Sequence, residues 1–177
     1  MSSTAHVFVS RILRAARLES ALYEEVEADR SAMAQSVAVI VLSGMAIGVG
    51  ATLVEGPIGL LNAVLLGLTA WLLCGLAAWT VGTHLLAEPD TEADLAEVLR
   101  VTGFSSSPGL LRVLGVTPVL ALLVSVVTGI WMLVAMVVAL RQTLDYRSTW
   151  RALVVAVIAW VFLSVTLLPL AFSARGR

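Results

Sequence analysis

Four apolar runs, at residues 32–54, 58–85, 119–140 and 152–172, decide what this chain can become. Each is long enough to cross the roughly 30 Å of bilayer hydrocarbon, which takes about 20 residues of helix. Inside hydrocarbon every backbone N–H and C=O must find an internal partner, so such runs fold as helices packed on helices. The charge content agrees: 13% of the residues are Asp, Glu, Lys or Arg, against about 25% in soluble domains. The expected fold class is an all-α membrane protein.

Between the second and third of these runs lies a stretch that is apolar but interrupted. Residues 98–118 read VLRVTGFSSSPGLLRVLGVTP. Gly103, Ser105, Ser106, Ser107, Pro108, Gly109, Arg112, Gly115 and Pro118 break a pattern that is otherwise too hydrophobic for a loop in water. Pro108 suits the first turn of a new helix, after a serine at a capping position. Irregular backbone at membrane depth needs protein or a water-filled cavity around it. The stretch reads as a short, broken third span over 98–116, or as a segment that dips in and returns. Arg100, Arg112 and Ser105–Ser107 would be its polar groups on a substrate path; alternatively Arg112 snorkels to an interface and the serines only cap the helix.

Residues 1–30 form a separate unit in this reading, and residues 31–177 the transmembrane domain. Over 5–30, Phe8, Ile12, Ala15, Leu22 and Val26 recur near a helical period, which predicts one amphipathic helix. Arg11, Arg14 and Arg17 come first and Glu24, Glu25, Glu27 and Asp29 follow. The basic half could lie on anionic headgroups; the alternative is a solvated helix packed on the bundle. In the first span Gly44 and Gly48 lie four apart, and in the second Gly59, Ala63 and Gly67 do the same. Such stripes let helix backbones approach closely, here within one molecule. Glu55-Gly56-Pro57 ends the first span in a turn. Glu55 reads as an interfacial acid and Pro57 as the start of the next helix. Trp71, Trp79 and His84 read as packing or interfacial residues. Thr91-x-x-Asp94 has the form of a capping box before a short surface helix. Arg141 and Asp145 are spaced for an exposed pair on a helix turn.

Eleven residues are positively charged, and all are arginine. If 98–116 crosses, nine of them fall on one side with the N-terminus and two on the other; if it re-enters, the division is eight and three. Positive charge marks the cytoplasmic side, which favours crossing, five spans and a cytoplasmic N-terminus. No secretory signal sequence is evident in the first 30 residues.

The chemistry of an enzyme is hard to assemble from this chain. Gly103-Phe104-Ser105-Ser106 resembles the serine motif of intramembrane proteases, but a serine nucleophile needs a base. The chain has no lysine, and its two histidines, His6 and His84, both precede the serine. No His-Glu-x-x-His, phosphate-binding loop or set of metal ligands appears, and the one cysteine, Cys74, sits in an apolar run. A net charge of −1 gives no basic surface for nucleic acid. No cofactor is expected.

The run Leu99-Arg100-Val101-Thr102-Gly103-Phe104, with Ser105 and Pro108 after it, resembles the Yip1 family, particularly its prokaryotic members. Ile130-Trp131 in the next span and Arg141 at its end carry the second part of the resemblance. It implies a helical bundle of five transmembrane helices, the third short and broken, preceded by an amphipathic helix, with the N-terminus in the cytoplasm of a prokaryotic cell. Arg100, Gly103, Phe104, Ser105, Pro108, Arg112, Trp131 and Arg141 are the candidate functional positions, with Glu55 and Pro57 as weaker ones. Eukaryotic members of the family are trafficking factors that bind small GTPases. Their Asp-Leu-Tyr-Gly-Pro motif is absent here, and Val54-Glu55-Gly56-Pro57 stands in its place. The expected function is non-enzymatic: binding of lipids, other membrane proteins or further copies of the chain. The alternative is a small transporter or channel lined by 98–118.

Overall fold

A computed structural model describes residues 2–115 and 117–175, with side chains placed for 4–49, 56–115, 117 and 119–167. The described residues are helices and connecting turns. They run α1 (Ser2–Ala16), α2 (Ser20–Ala28), α3 (Ala32–Glu55), α4 (Pro57–Thr80), a π turn (Val81–Leu85), α5 (Leu95–Ser105), a 3-10 segment (Ser107–Leu114), α6 (Pro118–Thr143) and α7 (Thr149–Arg175). Four helical stretches are long and apolar enough to cross a membrane: Ala32–Val49, Pro57–Leu85, Val119–Thr143 and Thr149–Leu167. They coincide with the four apolar runs of the sequence.

The single N-terminal helix expected over 5–30 is two helices. The chain turns at Leu18, whose φ of 63° lies in the left-handed region. Arg17 N and Leu18 N still close α1 on Leu13 and Ala15 carbonyls, and Leu22 N opens α2 on the Glu19 carbonyl. The apolar period runs through the break because both helices bury their apolar faces on the same neighbours. Ala15, Leu22, Tyr23 and Val26 are fully buried with Val39, Phe104 and Ala139.

The α3–α4 pair explains the small-residue stripes. Gly56 has φ 66°, a conformation that costs glycine little. Pro57 then sits in the first turn of α4. A methyl group added at Gly44 would stand 2.9 Å from Val64 Cα, and one at Gly48 2.9 Å from Leu60 Cα. The two backbones are therefore as close as glycine allows, and the stripes serve packing within the molecule.

At the far end of α4 the helix widens into the π turn. This frees the Gly82 carbonyl, which accepts from Tyr146 Oη at 2.7 Å. His84 is exposed, with Nδ1 2.8 Å from Thr83 Oγ1 and its ring edge-on to Trp79. The connection that follows is tied to the α6–α7 turn. Thr91 Oγ1 donates to the Leu144 carbonyl at 2.8 Å. Arg147 pairs with Asp90 at 2.7 Å and Arg151 with Glu88 at 3.3 Å. The expected Arg141–Asp145 pair is not formed. α6 ends at Thr143 and Asp145 turns to φ 51°, so the helical spacing that would join the two side chains is lost. The capping box before α5 is also shifted from the expected Thr91–Asp94 pair. Asp94 accepts from Glu97 N at 2.7 Å while Glu97 accepts from Asp94 N at 2.8 Å.

Candidate functional site

The first part of the broken stretch, residues 98–109, lies largely buried at the centre of the molecule, while Leu111, Val113 and Leu114 beyond it are exposed. α5 is packed by α2, α3, α4 and α6, and the 3-10 segment by α1, α3 and α6. Val98, Arg100, Val101, Thr102, Gly103, Phe104 and Ser105 are all buried. The break itself follows from the residues. Pro108 has no N–H to continue α5. The serine hydroxyls then bond backwards: Ser105 and Ser106 donate to the Thr102 carbonyl at 2.8 and 3.2 Å, and Ser107 to the Phe104 carbonyl at 2.6 Å. None of them caps the segment that starts at Ser107, which corrects the capping role expected from their position before Pro108. They occupy carbonyls at the end of α5, groups that a helix C-terminus leaves without partners.

Arg100 is 5% exposed and is spent on structure. Its Nε donates to the Val26 carbonyl at 3.2 Å, and Nη2 donates to the Glu27 carbonyl. These are among the last carbonyls of α2, so one guanidinium caps α2 and fastens it to α5. Gly103 marks the closest approach of α5 to α3. Ser36 Oγ reaches across to donate to the Arg100 carbonyl at 2.7 Å. Phe104 fills the core beneath the N-terminal helices. Trp131, at mid-length in α6, donates from Nε1 to the Ala16 carbonyl at 2.9 Å and so caps α1 in the same manner. Arg141 is exposed and makes no side-chain bond to a described residue. Pro57 is exposed at the start of α4, and the side chain of Glu55 lies outside the described ones.

The remaining sequence-predicted residues meet in a cavity of about 690 Å³. Ser105, Ser106 and Arg112 line it, beside Ser43, Asn62 and Thr102. Its walls come from α3, α4, α5, α6 and α7 and include Trp71 and Trp160. Arg112 enters from the 3-10 segment and is half-buried; its Nε donates to Thr128 Oγ1 at 3.1 Å. Trp71 Nε1 is engaged with the Leu99 carbonyl at 3.1 Å, which fixes that wall against α5. Sites for small molecules are typically concave, about 300–1,000 Å³ and mostly apolar with a few polar groups. This cavity has that character. Three of the site residues singled out by sequence thus share one space, while Arg100, Gly103, Phe104 and Trp131 hold the elements around it.

The comparison with protein-family models gives one match, the Yip1 domain, over residues 20–170. The chain belongs to the Yip1 family. The match covers both halves of the chain, where the sequence motifs had carried the resemblance chiefly in the second. No curated protein and no solved structure matches the chain. In this Yip1 chain the motif around Gly103 and Pro108 is the α5–3-10 junction, and its glycine and proline answer geometric needs of the bundle.

One charged group of residues escaped the sequence reading. Arg11 is 7% exposed and bonds Glu25 at 2.9 Å, Asp29 at 2.9 Å and Gln35 at 3.0 Å. Arg14 bonds Glu19 at 3.0 Å and Glu25 at 2.6 Å. The Arg14 hydrogen bond is the main reason the Glu25 carboxyl titrates below its ordinary value, with Arg11 adding to it against the opposing effect of burial. Asp29 is lowered by its hydrogen bond from Ser31 and then by Arg11. Glu27 is raised, chiefly by burial. The basic and acidic halves of 5–30 therefore neutralise each other across a hairpin. The signal for this was the segregation of charge on either side of Leu18-Glu19.

Proposed function

We propose that this Yip1 protein is a non-catalytic, five-span membrane protein that binds lipid through the cavity beside its broken third span. The observation that carries the reading is the cavity itself. It lies among the helices long enough to cross a bilayer, and its lining is apolar apart from a few hydroxyls, one amide and one guanidinium.

The broken third span is the α5–3-10 pair. Eleven residues of α-helix and eight of 3-10 helix extend about 16 Å each, at roughly 1.5 and 2.0 Å per residue. End to end they would match the hydrocarbon thickness. The contacts at one end of the bundle support the same topology. Gln142 reaches Glu24 at 2.6 Å, and Arg147 and Arg151 reach Asp90 and Glu88. The N-terminal helices, the α4–α5 connection and the α6–α7 turn then share a side, the arrangement expected of a crossing third span. That side carries most of the arginines and would be cytoplasmic.

Single cysteines at Ala87, Thr117 and Ser148, in a Cys74→Ala background, test the topology. With an impermeant maleimide on intact cells, Thr117→Cys should label and the other two should not. Labelling of Ser148→Cys without Thr117→Cys would make the stretch re-entrant. The binding role is tested by mass measurement of the protein released from lipid nanodiscs. A population carrying lipid is expected; the bare chain from every lipid composition would refute the role.

A further inference from the structure

Resting on that lipid-binding reading, we infer that the cavity selects a lipid with an anionic headgroup, and that Arg112 is the group that selects it. Arg112 is half-buried on the 3-10 segment, level with the middle of α6. Its partner Thr128 is ten residues into α6, about 15 Å along the helix. A cation at such depth is costly unless it is paired. Yet among the described residues Arg112 meets no carboxylate. Its one hydrogen bond, through Nε, goes to a neutral hydroxyl, and Thr128 is itself committed to the Val124 carbonyl at 2.7 Å. The described lining residues include no aspartate or glutamate. Among the described residues the two terminal nitrogens of the guanidinium meet no acceptor and no carboxylate, in a space that carries a positive charge.

A second, independent observation points the same way. Ser43 is 6% exposed and lines the cavity, and its hydroxyl has no partner among the described residues. The hydroxyl is open to the cavity rather than sealed in protein. A serine in a helix usually satisfies it with the carbonyl one turn back, and here it does not. Ser43 Oγ stands instead against Gly109, where any side chain would collide with it. Asn62, exposed on α4, lines the same cavity, and its amide bonds no described residue. Guanidinium nitrogens, a hydroxyl and an amide are the donor set for phosphate oxygens, which accept strong charge-assisted bonds from arginine. The Gly44 and Gly67 strip and the flanking leucines supply the apolar surface for an acyl chain. The occupant that offers both an anion and a chain at this depth is an anionic phospholipid of the bilayer itself.

The test uses the full chain in nanodiscs of equal parts phosphatidylglycerol and phosphatidylcholine, followed by mass measurement of the lipid retained. The wild type should retain phosphatidylglycerol preferentially. Arg112→Gln should lower that preference about tenfold or more, while Arg112→Lys keeps a part of it. Ala70→Leu, which fills the cavity and leaves the arginine in place, should reduce retention of both lipids. Undiminished preference in Arg112→Gln would overturn the inference and leave lipid binding standing. No retention of either lipid by the wild type would remove both. Displacement of the lipid by millimolar inorganic phosphate would make the ligand an aqueous anion and also overturn it. If Arg112→Gln does not fold, Ala70→Leu decides: full phosphatidylglycerol retention by that variant refutes the assignment.

Discussion

Replacing Arg100 by alanine should detach the N-terminal helices from the bundle. The guanidinium is buried and donates to two carbonyls near the end of α2. Hydrogen bonds to charged groups contribute about 1.5–3 kcal/mol each, and the acceptors left behind would be buried without partners. A local loss of about 3–5 kcal/mol follows from the pair, which exceeds what a short helix holds in reserve. Glu97, half-buried and 4.0 Å from the guanidinium, is beyond hydrogen-bond distance and adds little. The change should appear as rapid tryptic cleavage at Arg30 and as fast amide exchange over 20–28, with α6 and α7 protected as before. Arg100→Lys should recover only part of the protection, because an ammonium lacks the planar fork that reaches both carbonyls. Equal protease resistance in wild type and Arg100→Ala would show that the apolar contacts of Leu22, Tyr23 and Val26 hold the unit alone.

A single methyl group at Gly103 should be the other costly change. It would stand 2.5 Å from Ser36 Cβ and 3.1 Å from Ser36 Cα, so part of the obstacle is backbone. α5 must move away from α3, and the Ser36 Oγ bond to the Arg100 carbonyl stretches with it. Overpacking of this kind costs about 1–3 kcal/mol, and the hydrogen bond about 1 kcal/mol more. The melting temperature of Gly103→Ala in detergent should fall clearly below that of Gly67→Ala, where the nearest atom to the added methyl is 3.8 Å away. Combining Gly103→Ala with Ser36→Gly should restore part of the loss, since it removes the colliding atom. Similar melting temperatures for the two alanine variants would mean that α5 is not held against α3 at this point.

What could be read in the sequence was whatever hydrocarbon enforces. The four long runs had to be helices, and they are. The irregularity of 98–118 was visible because glycine, serine and proline interrupt hydrophobicity in a way no continuous span tolerates. The grouping of Ser105, Ser106 and Arg112 was likewise legible, since polar groups at membrane depth gather in a shared space. The hairpin at Leu18 was not. Leucine gives no signal for a left-handed turn, and the apolar period continued through it. The partners of Arg100 and Trp131 were hidden for a different reason. Both cap helices that are distant in sequence, at Val26 and Ala16, and a cap supplied from another element leaves no local pattern. Arg141 was misjudged because its pairing depended on α6 continuing past Thr143.

The tight winding of the segment after Pro108 has a geometric consequence for Arg112. A 3-10 helix turns about 120° per residue and an α-helix about 100°. Over the five steps from Ser107 to Arg112 the two differ by roughly 100° of azimuth and about 2.5 Å of rise. The same residues wound as an α-helix would carry the guanidinium about a quarter turn around the axis, away from its bearing on Thr128. Pitch, as much as residue identity, therefore aims the Arg112 charge, and a local change of pitch would swing it.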